Sequence, residues 1–241
     1  LALAFTLSSF AFPAAQAAKK KKACATTLAN CPREGCASGD AKLNVLKNLK
    51  KKPTNAEAEE MTIADVIFLN ASTPTKWKSG QDRQAVTDLG EGKGVRIKGY
   101  LINAHQTGGT ETCNCHLVGL ANNDFHLNFV QEQPTSPPAG STKKAIIAAK
   151  QPLMKSSMVI EMSPRSRNKR WSLPRLQALS DGFNYVRVTG WLMFDSQHPS
   201  FSHLPRASAW EIHPVTKFEV CTQTVAECDA GTGWKTLETL Q

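Results

Sequence analysis

From residue 93 onward the chain alternates apolar and polar residues with a period of two, and glycines stand in the middle of two of these runs. In KGVRIKGYLINAH, Val95, Ile97, Gly99 and Leu101 fall on one face; TCNCHLV, DFHLNFV, SSMVIEM, YVRVTGWLMFD and RASAWEIHPVTKFEV follow. Such alternation marks half-buried strands, and mid-strand Gly99 and Gly190 mark places where a sheet must bend sharply. Between SSMVIEM and YVRVTGWLMFD, Leu173, Leu176 and Leu179 repeat at helical spacing up to Gly182, which predicts one helix. About five strands with one helix before the last two predict a mainly β fold, a small closed antiparallel barrel of OB type with one inserted helix. An open antiparallel sheet is the alternative.

The N-terminus bears on compartment. LALAFTLSSFAF is too short to span a bilayer and leads to Ala15-Gln16-Ala17, a small-x-small cleavage pattern, so residues 1–17 read as a signal peptide. No later segment approaches membrane-spanning length, and the expected location is periplasmic or extracellular. Seven cysteines (Cys24, Cys31, Cys36, Cys113, Cys115, Cys221, Cys228) accord with an oxidising compartment, and their odd number leaves one unpaired. Cys221 with Cys228, and Cys31 with Cys36, have the spacing of local loops, although spacing alone does not set connectivity. The expected organisation is a basic arm over 18–53, a helical lead-in over 54–92, the barrel over 93–221 and a tail over 222–241.

Net charge is +9, and its distribution is uneven. Residues 18–52 hold ten Lys/Arg against Glu34 and Asp40, whereas the rest of the chain holds 19 basic and 18 acidic groups. The arm is therefore the expected contact for a polyanion such as nucleic acid, anionic lipid or wall polymer, with a solvated tail as the alternative. Within it Leu43, Leu46 and Leu49 predict a short basic helix ending before Pro53 and docked by its leucines. Thr54 with Glu57 and Thr62 with Asp65 have the form of helix starts, and QEQPTSPPAGST predicts a long loop over 131–142.

Polar groups on the strands supply the chemistry. In DFHLNFV, Asp124, His126 and Asn128 lie opposite Phe125, Leu127 and Phe129; in SSMVIEM, Glu161 shares a face with Val159. In AWEIH, Trp210 and Ile212 take one face and Ala209, Glu211 and His213 the other. With Trp210 and Ile212 in the core, Asp124, His126, Glu211 and His213 share an outer face. The catalytic candidates are therefore Asp124, His126, Glu161, Glu211 and His213. His126 and His213 are candidate ligands for a divalent metal ion, since imidazole with carboxylate suits zinc or another first-row ion that activates water. The alternative is a wet sheet face whose polar groups bond neighbours or water. CNCH (113–116), with His105 and His126, is a weaker set, because zinc-binding cysteines normally stand farther apart.

SPRSRNKRWSLPR gathers Arg165, Arg167 and Arg170 around Trp171, candidates for holding a phosphate backbone and an unstacked base. Trp191 and Trp210 are further possible stacking platforms, and a solvated loop is the alternative. No GxSxG, HExxH, P-loop or dinucleotide fingerprint occurs.

GVRIKGYLINA, CNC, DFHL, EMSPRSR, VRVTGWLMFD and WEIHPV together resemble a group of exported bacterial proteins with an OB-like barrel, over roughly the latter two-thirds of the chain. The resemblance implies barrel and export and brings no catalytic residues. The functional expectation is an exported OB-fold binding module for a polyanion such as nucleic acid. A metal-dependent, phosphodiester-cleaving hydrolase using Asp124, His126, Glu161, Arg165, Glu211 and His213, and a structural cell-envelope protein, are the alternatives, because one fold hosts all three.

Overall fold

The computed structural model describes residues 23–36, 40–109 and 111–240, so the expected signal peptide and the lysine run at 19–22 lie outside the described residues. In chain order the elements are α1 (Ala41–Lys47), β1 (Glu59–Met61), α2 (Ile63–Phe68), α3 (Gln84–Thr87), β2 (Gly94–Gln106), β3 (Phe125–Val130), α4 (Lys143–Met154), β4 (Met158–Met162), α5 (Leu173–Asp181), β5 (Tyr185–Phe194), β6 (Trp210–Cys221), α6 (Val225–Asp229) and β7 (Trp234–Thr236).

β2 closes the barrel because it is long enough to serve two partners. Its first half pairs with β5, from Gly94↔Trp191 to Tyr100↔Tyr185, and its second half with β3, from Tyr100↔Val130 to Gln106↔Phe125. β3 pairs with β4, β4 with β6 and β6 with β5, which returns the ring to β2. The expected barrel is thus present, with one correction: it is mixed. An odd number of strands cannot alternate direction around a closed ring, so one pair must be parallel, and here it is β4 with β6 (Val159↔Glu211, Ile160↔Ile212). α5 carries the chain between β4 and β5, as its leucine spacing predicts, with Leu176 in the core.

Both mid-strand glycines sit at the bends. A Cβ on Gly99 would lie 2.7 Å from the Val130 carbonyl oxygen, and one on Gly190 2.4 Å from Ile212 Cγ2 and 2.5 Å from the Pro214 carbonyl oxygen. At Gly190 the β5–β6 register also shifts, the bulge that lets a short strand turn a barrel corner. The apolar faces meet inside: Phe125, Leu127, Phe129, Ile160, Phe194, Trp210, Ile212 and Phe218 belong to one core.

Other expectations need correction. TCNCHLV is an irregular turn, with Cys115 and His116 at φ 56, a backbone no strand adopts. α4, beyond the 131–142 loop, is an additional helix whose Leu153 and Met154 pack on the second face of β2. Thr54 and Glu57 exchange hydrogen bonds without a helix following, whereas Thr62 and Asp65 form a full capping box on α2. α1 ends at Asn48, well before Pro53. Residues 222–241 are not a loose tail, since β7 pairs with β6 and Leu237 is fully buried.

The described part of the basic arm is built into the fold. Disulfides Cys24–Cys36 and Cys31–Cys115, rather than a local Cys31–Cys36 link, tie residues 24–36 to the β2–β3 loop, and Leu43 docks α1 with no exposed surface. Cys221–Cys228 closes its local loop as expected, and Cys113 is the unpaired cysteine. Among the described residues no helix is long and apolar enough to cross a membrane.

Gly190→Ala tests the bend. Forcing a methyl into a well-packed site costs ~1–3 kcal/mol, occasionally more. The denaturation midpoint should fall accordingly, and an unchanged midpoint would contradict the close approach of β6.

Candidate functional site

Alternation sends Phe125, Leu127, Ile160 and Ile212 into the core, so Asp124, His126, Glu161, Glu211 and His213 emerge together on the opposite face of β3, β4 and β6. The structure brings all five together, but the face is covered rather than open. The β2–β3 loop, the β5–β6 loop and α1 lie over it, leaving Asp124, Glu211 and His213 at most 1% exposed. His213 is the hub. Its Nε2 lies 3.1 Å from Asp124 Oδ2, and its Nδ1 lies 3.0 Å from Glu161 Oε2 and 3.3 Å from Glu211 Oε1.

Three of these residues share one pattern: each has one polar atom at a positioning neighbour and another that makes no hydrogen bond. Asp124 Oδ1 accepts from Asn114 Nδ2 at 2.9 Å, Glu161 Oε1 accepts from His126 Nδ1 at 2.9 Å, and His213 Nδ1 faces Glu211 Oε1. The remaining atoms, Asp124 Oδ2, Glu161 Oε2 and His213 Nε2, are buried without a hydrogen bond, because their short mutual separations are not aligned as hydrogen bonds. Asp124, Glu161 and His213 each offer a ligand atom within 4.8 Å of the other two. Two carboxylate oxygens and an imidazole nitrogen, each oriented by a second polar group, form a donor set suited to zinc or a similar first-row ion. His126 is therefore not in this set; it orients Glu161 and stacks on His105 at 4.7 Å.

The electrostatics follow from burial and crowding. Burial alone favours neutral His213, but the Glu161 charge and the adjacent Asp124 and Glu211 carboxylates raise its pKa well above the ordinary value. Burial also opposes charge on Glu161, yet His213 and His126 hold its carboxyl well below the usual range. Glu111, half-buried beside Asp124 and Glu161, is pushed up to about 8 by loss of water and by those carboxylates. Burial, with Asp124 and Glu111 nearby, raises the Cys113 thiol.

A cleft of about 500 Å³ opens beside the cluster, lined among others by Glu111, Cys113, His126, Glu161, Asp195 and His198. Lys47 also lines it from α1, only 8% exposed and with no hydrogen bond or ion pair among the described residues. Burial works against its charge, but the Asp195, Glu161 and Glu211 carboxylates outweigh this and keep the ammonium protonated. Arg206 is spent on Asp195 at 2.9 Å and Glu211 at 3.4 Å. Lys47, Glu111, Asp195 and Arg206 were not anticipated as site residues. Lys47 carried a signal, a lysine one residue beyond the leucine of a docked amphipathic turn, but no local pattern tells which element that turn will meet.

The basic cluster is not laid open as the sequence suggests, and most of it is built into the fold. Trp171 is 4% exposed and its indole donates to Glu238 Oε2 at 2.8 Å, so neither ring face is open to a base. Arg165 donates to the carbonyls of Cys31, Pro32 and Cys113, and Arg167 to those of Asn123 and Leu120 while covering the Phe125 ring. Both clamp loops onto the barrel; Lys169 and Arg170 are the exposed members of the cluster. Trp210 is a core residue, and the half-buried Trp191 indole donates to the Lys51 carbonyl. In CNCH, Cys115 is in a disulfide and is lost to metal binding.

No protein-family model, curated protein or solved structure matches the chain. Fold and site geometry therefore carry the functional reading.

His198 reports on the cleft wall. Its Nδ1 bonds Asp195 Oδ2 at 2.8 Å, which raises its pKa against the opposing effects of burial and Arg206. The stabilisation from this pair is fully present below the ordinary histidine value and is lost as pH rises through the raised folded-state value. By NMR, His198 should titrate above about 6.5. Asp195→Asn should lower that value, and an unmoved titration would contradict the pairing.

Proposed function

We propose that the protein is an exported metal-dependent hydrolase of phosphodiester type, with the ion held by Asp124, Glu161 and His213. The observation that carries this reading is that Asp124, Glu161 and His213 each offer a ligand atom within 4.8 Å of the other two, in a buried cluster where Asp124 Oδ2, Glu161 Oε2 and His213 Nε2 contact one another as charges without an aligned hydrogen bond. A divalent ion there would supply an activated water and polarise the scissile group. The chain's own residues do the rest. Asn114, His126 and Glu211 fix the orientation of the ligands, and such partners typically matter 10–100-fold for metal affinity, as an order of magnitude. Lys47 presents to the cleft an ammonium with no hydrogen bond or ion pair of its own among the described residues, suited to an anionic oxygen of the substrate or its transition state. Three disulfides support export to an oxidising compartment.

A second reading, an OB-fold module that binds a polyanion without turnover, is favoured by the cleft's place in the barrel. OB folds take oligonucleotides and oligosaccharides on their second and third strands and on the loops after the first and fourth. Here the second and third barrel strands, β3 and β4, contribute His126 and Glu161, and those two loops contribute Glu111, Cys113, Asp195, His198 and Arg206. Exposed Lys50, Lys51, Lys52 and Arg170, and the lysines at 19–22, are the remaining polyanion contacts for this reading.

Metal content and turnover separate the two. Loaded with zinc or manganese and then desalted, the full chain should retain metal and cleave bis(p-nitrophenyl) phosphate or single-stranded DNA. Asp124→Asn and His213→Gln should each lower metal affinity by about 100-fold or more, at or beyond the usual effect of a positioning partner. Lys47→Met should keep the metal and lose ~10²–10³ in turnover. Retained metal with DNA binding but no cleavage would favour the binding module, and wild-type protein that retains no metal would refute the centre.

A further inference from the structure

Beside the first ligand set, Glu111, Cys113 and Asp124 each offer an atom within 4.8 Å of the other two. Asp124 belongs to both sets. Asn114, with no exposed surface, donates through Nδ2 to Glu111 Oε2 at 2.8 Å and to Asp124 Oδ1 at 2.9 Å. Its own Oδ1 is buried without a partner beside them.

Cys113 is placed as a ligand rather than as packing. It is 3% exposed, yet it belongs to none of the hydrophobic clusters, unlike Cys31 and Cys115. Its carbonyl is pinned by Asn48 Nδ2 at 3.0 Å and Arg165 at 3.1 Å, which fixes the backbone from which the thiol projects. The other six cysteines are in disulfides, so the one reduced sulfur stands with two carboxylates on the wall of the cleft.

We propose a second cation subsite formed by Glu111, Cys113 and Asp124, so that Asp124 bridges two ions. The inference rests on the metal reading above and extends it to a two-ion centre. A thiolate with carboxylates selects zinc or cobalt over magnesium or calcium. Binding converts the Cys113 S–H to a metal-bound thiolate and releases that proton to solvent. In two-metal hydrolytic sites one ion carries the attacking oxygen and the other stabilises the leaving oxygen.

Cobalt(II) added to the chelator-treated full chain tests this, since thiolate coordination gives a sulfur-to-cobalt charge-transfer band in the near ultraviolet. Wild-type protein should take up two equivalents and develop that band. Cys113→Ser and, as a second variant, Glu111→Gln, each checked for a native circular dichroism spectrum, should retain one equivalent and the visible cobalt bands, with the charge-transfer band absent from Cys113→Ser. A single equivalent without a charge-transfer band in wild-type protein would overturn the second subsite and leave the first standing. A charge-transfer band that survives Cys113→Ser would also overturn it, and no cobalt uptake at all would overturn both readings.

Discussion

A fully buried imidazole facing three carboxylates is the constraint around which this molecule is arranged. His213 has no exposed surface and lies within 3.3 Å of Asp124, Glu161 and Glu211 oxygens. Removing such charges from water costs several kcal/mol per ion even after relaxation. Close opposite charge and fixed hydrogen-bond partners must offset that cost. The protein supplies some of this through Asn114, His126, Lys47 and Arg206. Two means of completing it compete. A proton on His213 supplies one positive charge, and a divalent ion would supply two while also engaging the atoms that make no hydrogen bond. His213 Nε2 and Asp124 Oδ2 are close but misaligned for a hydrogen bond, a geometry that a divalent ion would use.

Everything around the cluster serves to bury it while keeping one side open. The barrel brings β3, β4 and β6 side by side, with the single parallel pair setting Glu211 next to Val159 and Ile160 next to Ile212. The arm then crosses this face. Cys31–Cys115 anchors it to the same loop that carries Glu111, Cys113 and Asn114, so the cover and the ligands are fastened at one point. Arg165 reinforces the join through three carbonyls. Arginines that in the bare sequence resemble a phosphate-binding patch are used here as internal clamps, which is why the dense basic run leaves so little exposed charge.

The barrel was legible because its signal is local. Period-two alternation assigns Trp210 and Ile212 to one side and Glu211 and His213 to the other, and mid-strand Gly99 and Gly190 mark the bends. The meeting of Asp124, His126, Glu161, Glu211 and His213 was legible as a possibility, since it required only that three strands be neighbours. What covers that face was not. Lys47 reaches the site because α1 docks across it, held by buried Leu43, by Asn48 donating to the Cys113 carbonyl and by a disulfide between cysteines 84 residues apart, and no local pattern encodes that. Trp171 reads as an exposed aromatic among arginines, but it is buried by a C-terminal segment whose Glu238 lies 67 residues away. Sequence periodicity reports which side of a strand is apolar, and it says nothing of what later packs on the other side.

The central claim is that Asp124, Glu161 and His213 jointly hold a divalent ion. Anomalous diffraction at the zinc edge from crystals of the zinc-loaded full chain tests it most directly. The account predicts a peak bonded to a carboxylate oxygen of Asp124, a carboxylate oxygen of Glu161 and an imidazole nitrogen of His213 at about 2.0–2.2 Å, the range for zinc with oxygen and nitrogen ligands. A refined structure with no peak at this end of the barrel, and with His213 hydrogen-bonded to Asp124 and Glu161 as a plain imidazolium, would contradict it.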